Sequence, residues 1–177
     1  MNTPHAVPCH VDPVTAEVLA WLEGQCHKME ALVGGLDDAQ LRATPLPSGW
    51  SMLGLLGHVR DSTEFWLHHV LLGHPTELDE GAPWDNDPDA PGHEVVVGFV
   101  ASHQAAVAGA RALRADAEPG WWPDGAWGGY RQDTVRGVLM HLFADNAAHV
   151  GQLGIVRELT DGGVWDYGVD GVRTLTT

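Results

Sequence analysis

The sequence predicts an all-α protein, folded as an up-and-down four-helix bundle. Three observations carry this reading: apolar residues recur at steps of three and four in four long stretches, capping residues and glycines bracket those stretches, and nothing alternates convincingly at period two. The chain has 177 residues, a length that suits one domain over 1–177 with a single core.

Residues 1–12 hold Pro4 and Pro8 among polar residues and read as an irregular arm. The first helix is expected over 14–34: Asp12 can cap it, Pro13 suits its first position, and Val14, Val18, Leu22, Cys26, Met29 and Val33 form its stripe before Gly34 and Gly35 stop it. Asp37 and Gln40 have capping-box spacing, so a short helical turn precedes the Pro45–Pro47 break. A second helix over 52–72 begins after Ser51, carries Leu55, Leu56, Val59, Phe65, Trp66 and Val70, and ends at Gly73. Residues 74–92 are acidic, Pro-rich and aperiodic, a surface connection that Trp84 can pin to the body.

The third helix is expected over 93–115, with Val96, Val100, Val107, Ala110 and Leu113 on one face. Residues 116–132, which include the aromatic loop Trp121–Tyr130, are too broken by Pro and Gly for a helix, and the loop suits either a substrate wall or a packing lid. The fourth helix, 134–161, is capped by Asp133, ended by Gly162 and Gly163, and striped by Val138, Leu142, Leu153, Val156 and Leu159. It would span about 42 Å. The tail 164–177 has strand-like residues without an obvious partner.

Composition narrows the function. Apolar residues make up 44% of the chain and charged residues 19%, which is a globular balance, and no apolar run reaches the ~18 residues of a membrane span. A net charge of -15 disfavours nucleic acid as a partner. Cys9 and Cys26 lack metal or redox spacing and the first residues lack the blocks of a signal peptide, so the expected compartment is the cytoplasm, with free thiols. Of nine basic residues only Lys28 is lysine, which with 22 Gly and eight Trp suggests a GC-rich genome.

The fourth helix carries an anomaly. Its apolar stripe passes through Asp145, His149 and Gln152, and a carboxylate facing a core needs a cation, a donor or solvent. Residues four apart on a helix can grip one ion. His141 lies on the same stripe, giving two adjacent pairs, but His141 and His149 stand about 12 Å apart along the axis and cannot easily share an ion. Asp145 with His149 is preferred because it lies nearer mid-helix. His58, among Leu55, Val59 and Ser62, is the natural completing ligand. Two imidazoles and one carboxylate leave coordination positions open. His141 then reads as a supporting or core histidine. His68, His69, His74, His93 and His103 have no partner at ligand spacing and are expected at solvated or interface positions, while Cys9 and His10 on the arm could take up adventitious metal.

The segments LGLLGHVRDSTEFW (53–66) and HLFADNAAHVGQLGIVRELTDG (141–162), with the acidic PWDNDPDA stretch, resemble the DinB-like superfamily of four-helix metal proteins, and in particular the uncharacterised actinobacterial branch that groups with mycothiol-dependent maleylpyruvate isomerase. The resemblance implies a divalent metal, zinc or nickel, on His58, Asp145 and His149, and a homodimer. Many members have histidine where this chain has Asp145 and the isomerase type has glutamate, so the shorter Asp145 either ligates directly or acts through water.

Three functions follow. The first is a metal-dependent transferase or isomerase that uses mycothiol, by resemblance, against a small electrophile, with Arg157 either pairing an anionic substrate group or making a surface salt bridge. The second is hydrolysis with Asp61 or His141 as proton carrier. The third is a non-catalytic, stress-associated bundle that binds metal or a partner.

Overall fold

The computed structural model describes residues 11–77 and 89–175. The expected arm up to residue 10, with Cys9 and His10, and Trp84 of the acidic connection lie outside the described residues.

Helix α1 runs Pro13–Val33, and the Asp12 carboxylate accepts from the Val14 and Thr15 N–H groups at 3.0 and 3.1 Å. Its expected stripe is buried except for Val14, which is exposed. The capping box of Asp37 and Gln40 opens a short α2, Asp38–Arg42. Ser51 caps α3, Met52–Glu64, through the Gly54 N–H at 3.0 Å, and α3 continues without a break as π-helical turns over Phe65–Leu71. Helix α4 is Gly92–Ala110 and α5 is Val135–Asp161, ended by Gly162 in the left-handed region at φ 74°.

Four local expectations are corrected. Helix α4 stops at Ala110 rather than near 115 because the following residues form a loop: the Ala115 and Ala117 carbonyls accept from the Arg136 and Val135 N–H groups, satisfying donors at the head of α5. Its buried face is Val95, Phe99, His103, Val107 and Ala110, and the expected Val96 and Val100 sit beside it partly buried. A run of three valines at 95–97 fits any helical phase, and the bulk of Phe99 decides which face turns inward. Thr134 rather than Asp133 caps α5, accepting from the Gly137 N–H. The tail is not partnerless: β1, Gly163–Asp166, and β2, Gly171–Thr174, pair with each other antiparallel, and Trp165 and Val172 pack on the core.

The described residues are thus mostly helical with one two-stranded sheet. Helix α1 packs against α4 and α5, and α3 packs against the same two. The helix halves sort into two apolar clusters. The C-terminal halves of α1 and α5 (Met29, Leu32, Leu153, Val156) join the N-terminal halves of α3 and α4 (Leu55, Leu56, Phe99). The opposite halves (Leu19, Leu22, Leu67, Val70, Val107, Leu139, Leu142) form the second cluster. Helices α1 and α5 therefore run one way and α3 and α4 the other, an up, down, down, up order in place of strict alternation.

Between the clusters lies a polar waist. Gln25, Thr63, His103 and Asn146, one from each long helix, each have a buried side-chain atom with no hydrogen-bond partner among the described residues. Beyond the second cluster, the Gly120 and Trp121 N–H groups donate to the Leu71 and Val70 carbonyls at 3.2 and 3.0 Å. That approach demands glycine: a Cβ on Gly120 would lie 2.8 Å from Gly73 Cα. No described helix is long and apolar enough to cross a membrane.

A candidate metal centre between two helices

His58 comes from the middle of α3, and Asp145 and His149 from successive turns of α5, where the two helices meet at the waist. Their ligand-capable atoms all lie within 4.8 Å of one another, and no other group of three or more His, Cys, Asp and Glu side chains among the described residues is so close. The His58 and His149 rings meet edge to face with centroids 4.9 Å apart. His149 Nε2 stands 3.6 Å from Asp145 Oδ2, too long for a good hydrogen bond. Two ligands each ~2.1 Å from a tetrahedral ion stand ~3.4 Å apart, so the pair fits around one ion with little change and His58 closes by a small movement.

The other face of the His149 ring fixes its chemistry. Nδ1–H donates to Gln152 Oε1 at 2.8 Å, which leaves Nε2, the nitrogen toward Asp145, as the lone-pair atom of the neutral ring. The same neighbours govern protonation. The neighbouring Asp145 carboxylate, helped by the Gln152 hydrogen bond, raises the His149 pKa against the opposing effect of burial, and His149 in turn holds Asp145 below the usual carboxylate range. Burial, helped by the charge of His149, pushes His58 down toward its neutral, ligating form. Asp145 is 37% exposed and His149 10%, so the group opens to solvent on the carboxylate side.

The supporting candidates separate. His141 stands one turn from Asp145, its Nδ1 3.0 Å from the Tyr130 hydroxyl, which itself accepts from Gln132 Nε2 at 2.8 Å. Asp61 is exposed and pairs with Arg60 at 2.9 Å, and its charge reaches His58. Arg157 makes the expected salt bridge at the edge of the core, its own side chain buried and its partner Asp161 at the surface: Arg157 is 6% exposed, Nε and Nη2 meet both oxygens of Asp161 at 2.8 Å, and Nη1 donates to the Leu32 and Gly34 carbonyls at 2.9 Å. The guanidinium thus clamps the end of α1 to α5, and these bonds leave it ill placed to take an anionic substrate. His103, expected at a solvated or interface position, is instead 1% exposed in the core, and burial pushes its pKa down to about 4.

Sequence reasoning missed Gln152 as the partner of His149 and Tyr130 as the partner of His141. Gln152 was legible as the next residue on the stripe. Tyr130 reaches His141 only through the fold of the loop before α5.

These observations define a helical protein with a solvent-open two-histidine, one-carboxylate group set between α3 and α5. The chain belongs to the mycothiol-S-transferase family, whose pattern matches residues 17–162 and so spans both helices of the candidate centre. No curated protein and no solved structure matches the chain.

Proposed function

We propose that the protein joins mycothiol to a small electrophile at a divalent-metal centre held by His58, Asp145 and His149, within a single DinB-like helical domain spanning 1–177. The observation that carries the reading is the convergence of those three side chains between α3 and α5, open to solvent at Asp145, in a chain of the mycothiol-S-transferase family. Two imidazoles and a carboxylate suit zinc first among the common divalent ions, and nickel second. A bound divalent ion supplies positive charge that lowers a thiol's pKa from its ordinary ~8.5. In the transfer, the thiol gives up its proton, sulfur forms a bond to the electrophilic carbon, and the leaving group departs with its bonding pair and takes up a proton.

The chain's own residues divide the remaining work. At the head of α3 lies a cavity of about 500 Å³ lined by Arg42, Thr44, Ser48, Trp50 and Gly54, the last one turn from His58. Hydroxyls, a guanidinium and an indole face suit the polyhydroxylated body of the thiol. No protein thiol competes among the described residues: Cys26 is buried, and desolvation pushes its pKa up to about 12. The reading places the protein in the cytoplasm, where such a thiol stays reduced. We also read the outer face of α5, with Met140 and Ile155 exposed beside Ala144, Ala147 and Gly151, as the contact of a homodimer. A single species near 19 kDa in sedimentation would remove the dimer.

The transferase reading is tested on cobalt-substituted protein titrated with mycothiol. A new charge-transfer band is expected, rising with an apparent pKa below that of the free thiol and lost in His58→Ala. A spectrum unmoved by millimolar mycothiol would point to hydrolysis or a non-catalytic role instead.

A further inference from the structure

One segment of the chain holds a bulky residue in a strained backbone region. Trp127 sits in the left-handed region at φ 48°, ψ 41°, between Gly125 and Gly128, which also have positive φ. Glycine or asparagine would adopt that turn at far lower cost, and a bulky residue held there points to a functional constraint. The Trp127 ring is held in place by Trp66, Phe65 and Trp122, with centroids 5.4, 5.9 and 6.1 Å away. Yet it is 39% exposed, as is Tyr130. An aromatic pinned by strain and still open to solvent is not filling a core.

Its position supplies the reason. Trp66 meets His141 edge to face at 4.6 Å, Tyr130 bonds the same imidazole, and His141 stands one turn from Asp145 and contributes to its electrostatic field. The aromatic wall therefore begins one helical turn from the candidate centre, on the side opposite the polar cavity at the head of α3. We propose that Trp127 and Tyr130, backed by Trp66, form the subsite for the electrophile and select planar, apolar acceptors by stacking. This rests on the transferase reading for the identity of the occupant, while the subsite itself rests on the strained, half-open indole.

The experiment measures kcat/KM with mycothiol for 1-chloro-2,4-dinitrobenzene, a planar aromatic acceptor, against iodoacetamide, a small aliphatic one. In Trp127→Gly, which suits the left-handed backbone, the aromatic-to-aliphatic ratio should fall about three- to ten-fold. Trp127→Phe should keep most of the preference, and Tyr167→Leu, on the distant hairpin, should leave the ratio at its wild-type value. A ratio unchanged in Trp127→Gly would make the loop a packing lid and overturn the proposal. If wild type turns over neither acceptor, the transferase reading fails by itself, and the subsite is then judged by binding: saturable quenching of tryptophan fluorescence by unreactive 1,3-dinitrobenzene, weakened in Trp127→Gly, supports it. Quenching that is linear, or equal in the two proteins, overturns it.

Discussion

His149 and His103 are both buried histidines on long helices facing the waist of the molecule, and they are chemically opposite. His149 has a carboxylate on one side and an amide oxygen on the other, and these raise its pKa and orient its ring. His103 has burial alone, and its pKa drops to about 4, so at neutral pH it is an uncharged spacer between two apolar clusters. The comparison shows that burial by itself silences an imidazole, and that the neighbours supplied by a helix at steps of three and four are what turn one into a ligand. The same logic separates Arg157 from the candidate site: it is as buried as His149, but its partners are the carbonyls at the end of α1 and its own turn's Asp161, so it fastens helices together.

A metal-affinity series puts the contrast to its strongest test. His149→Ala removes a proposed ligand and should weaken zinc binding by more than about 100-fold, beyond the range set by losing an outer partner. Gln152→Leu leaves all three ligands but frees the ring and its tautomer, and about 10-fold is expected. His103→Leu should leave affinity unchanged. Equilibrium competition with a chromophoric chelator reads all three. Equal losses across the series would show that the polar residues of the waist act together as packing, and that His149 holds no ion.

How much of this was legible beforehand follows from which interactions are local. The caps at Asp12, Asp37 and Ser51 and the stop at Gly162 depend on residues within one turn, and each stands where the residue types placed it. The pairing of Asp145 with His149 is equally local, and His58 could be added because α3 has few other polar residues on its inner side. The order of the helices was not legible: apolar stripes show that helices pack, not which ends meet, and the direction of α4 is set by a connection whose composition carries no periodicity. The phase of α4 was lost in the valine run at 95–97, and with it the burial of His103. The hairpin of 163–174 escaped because each strand is only four residues long and its support, the Lys28 ammonium over the Trp165 and Tyr167 rings, comes from α1.

The smallest expected effect sharpens the other half of the comparison. The folded pKa of His103 is depressed to about 4 from an ordinary 6.5, so between those values the unfolded chain binds more protons than the folded one. Stability therefore falls as pH drops through this window and is unaffected by this residue above it. With those two pKa values, the loss reaches about 1.4 kcal/mol at pH 5.5. No charged side chain shares the cause, since desolvation alone depresses His103. His103→Leu cannot take up the proton, so the wild type's stability relative to this variant should decline by about that amount from pH 7.5 to pH 5.5, whatever the variant's absolute stability. Urea unfolding at the two pH values measures the difference, with carboxylates and the other histidines common to both proteins cancelling. A difference that does not change with pH would mean that His103 is protonated as readily inside the protein as outside, and its contrast with His149 would then be one of position and not of chemistry.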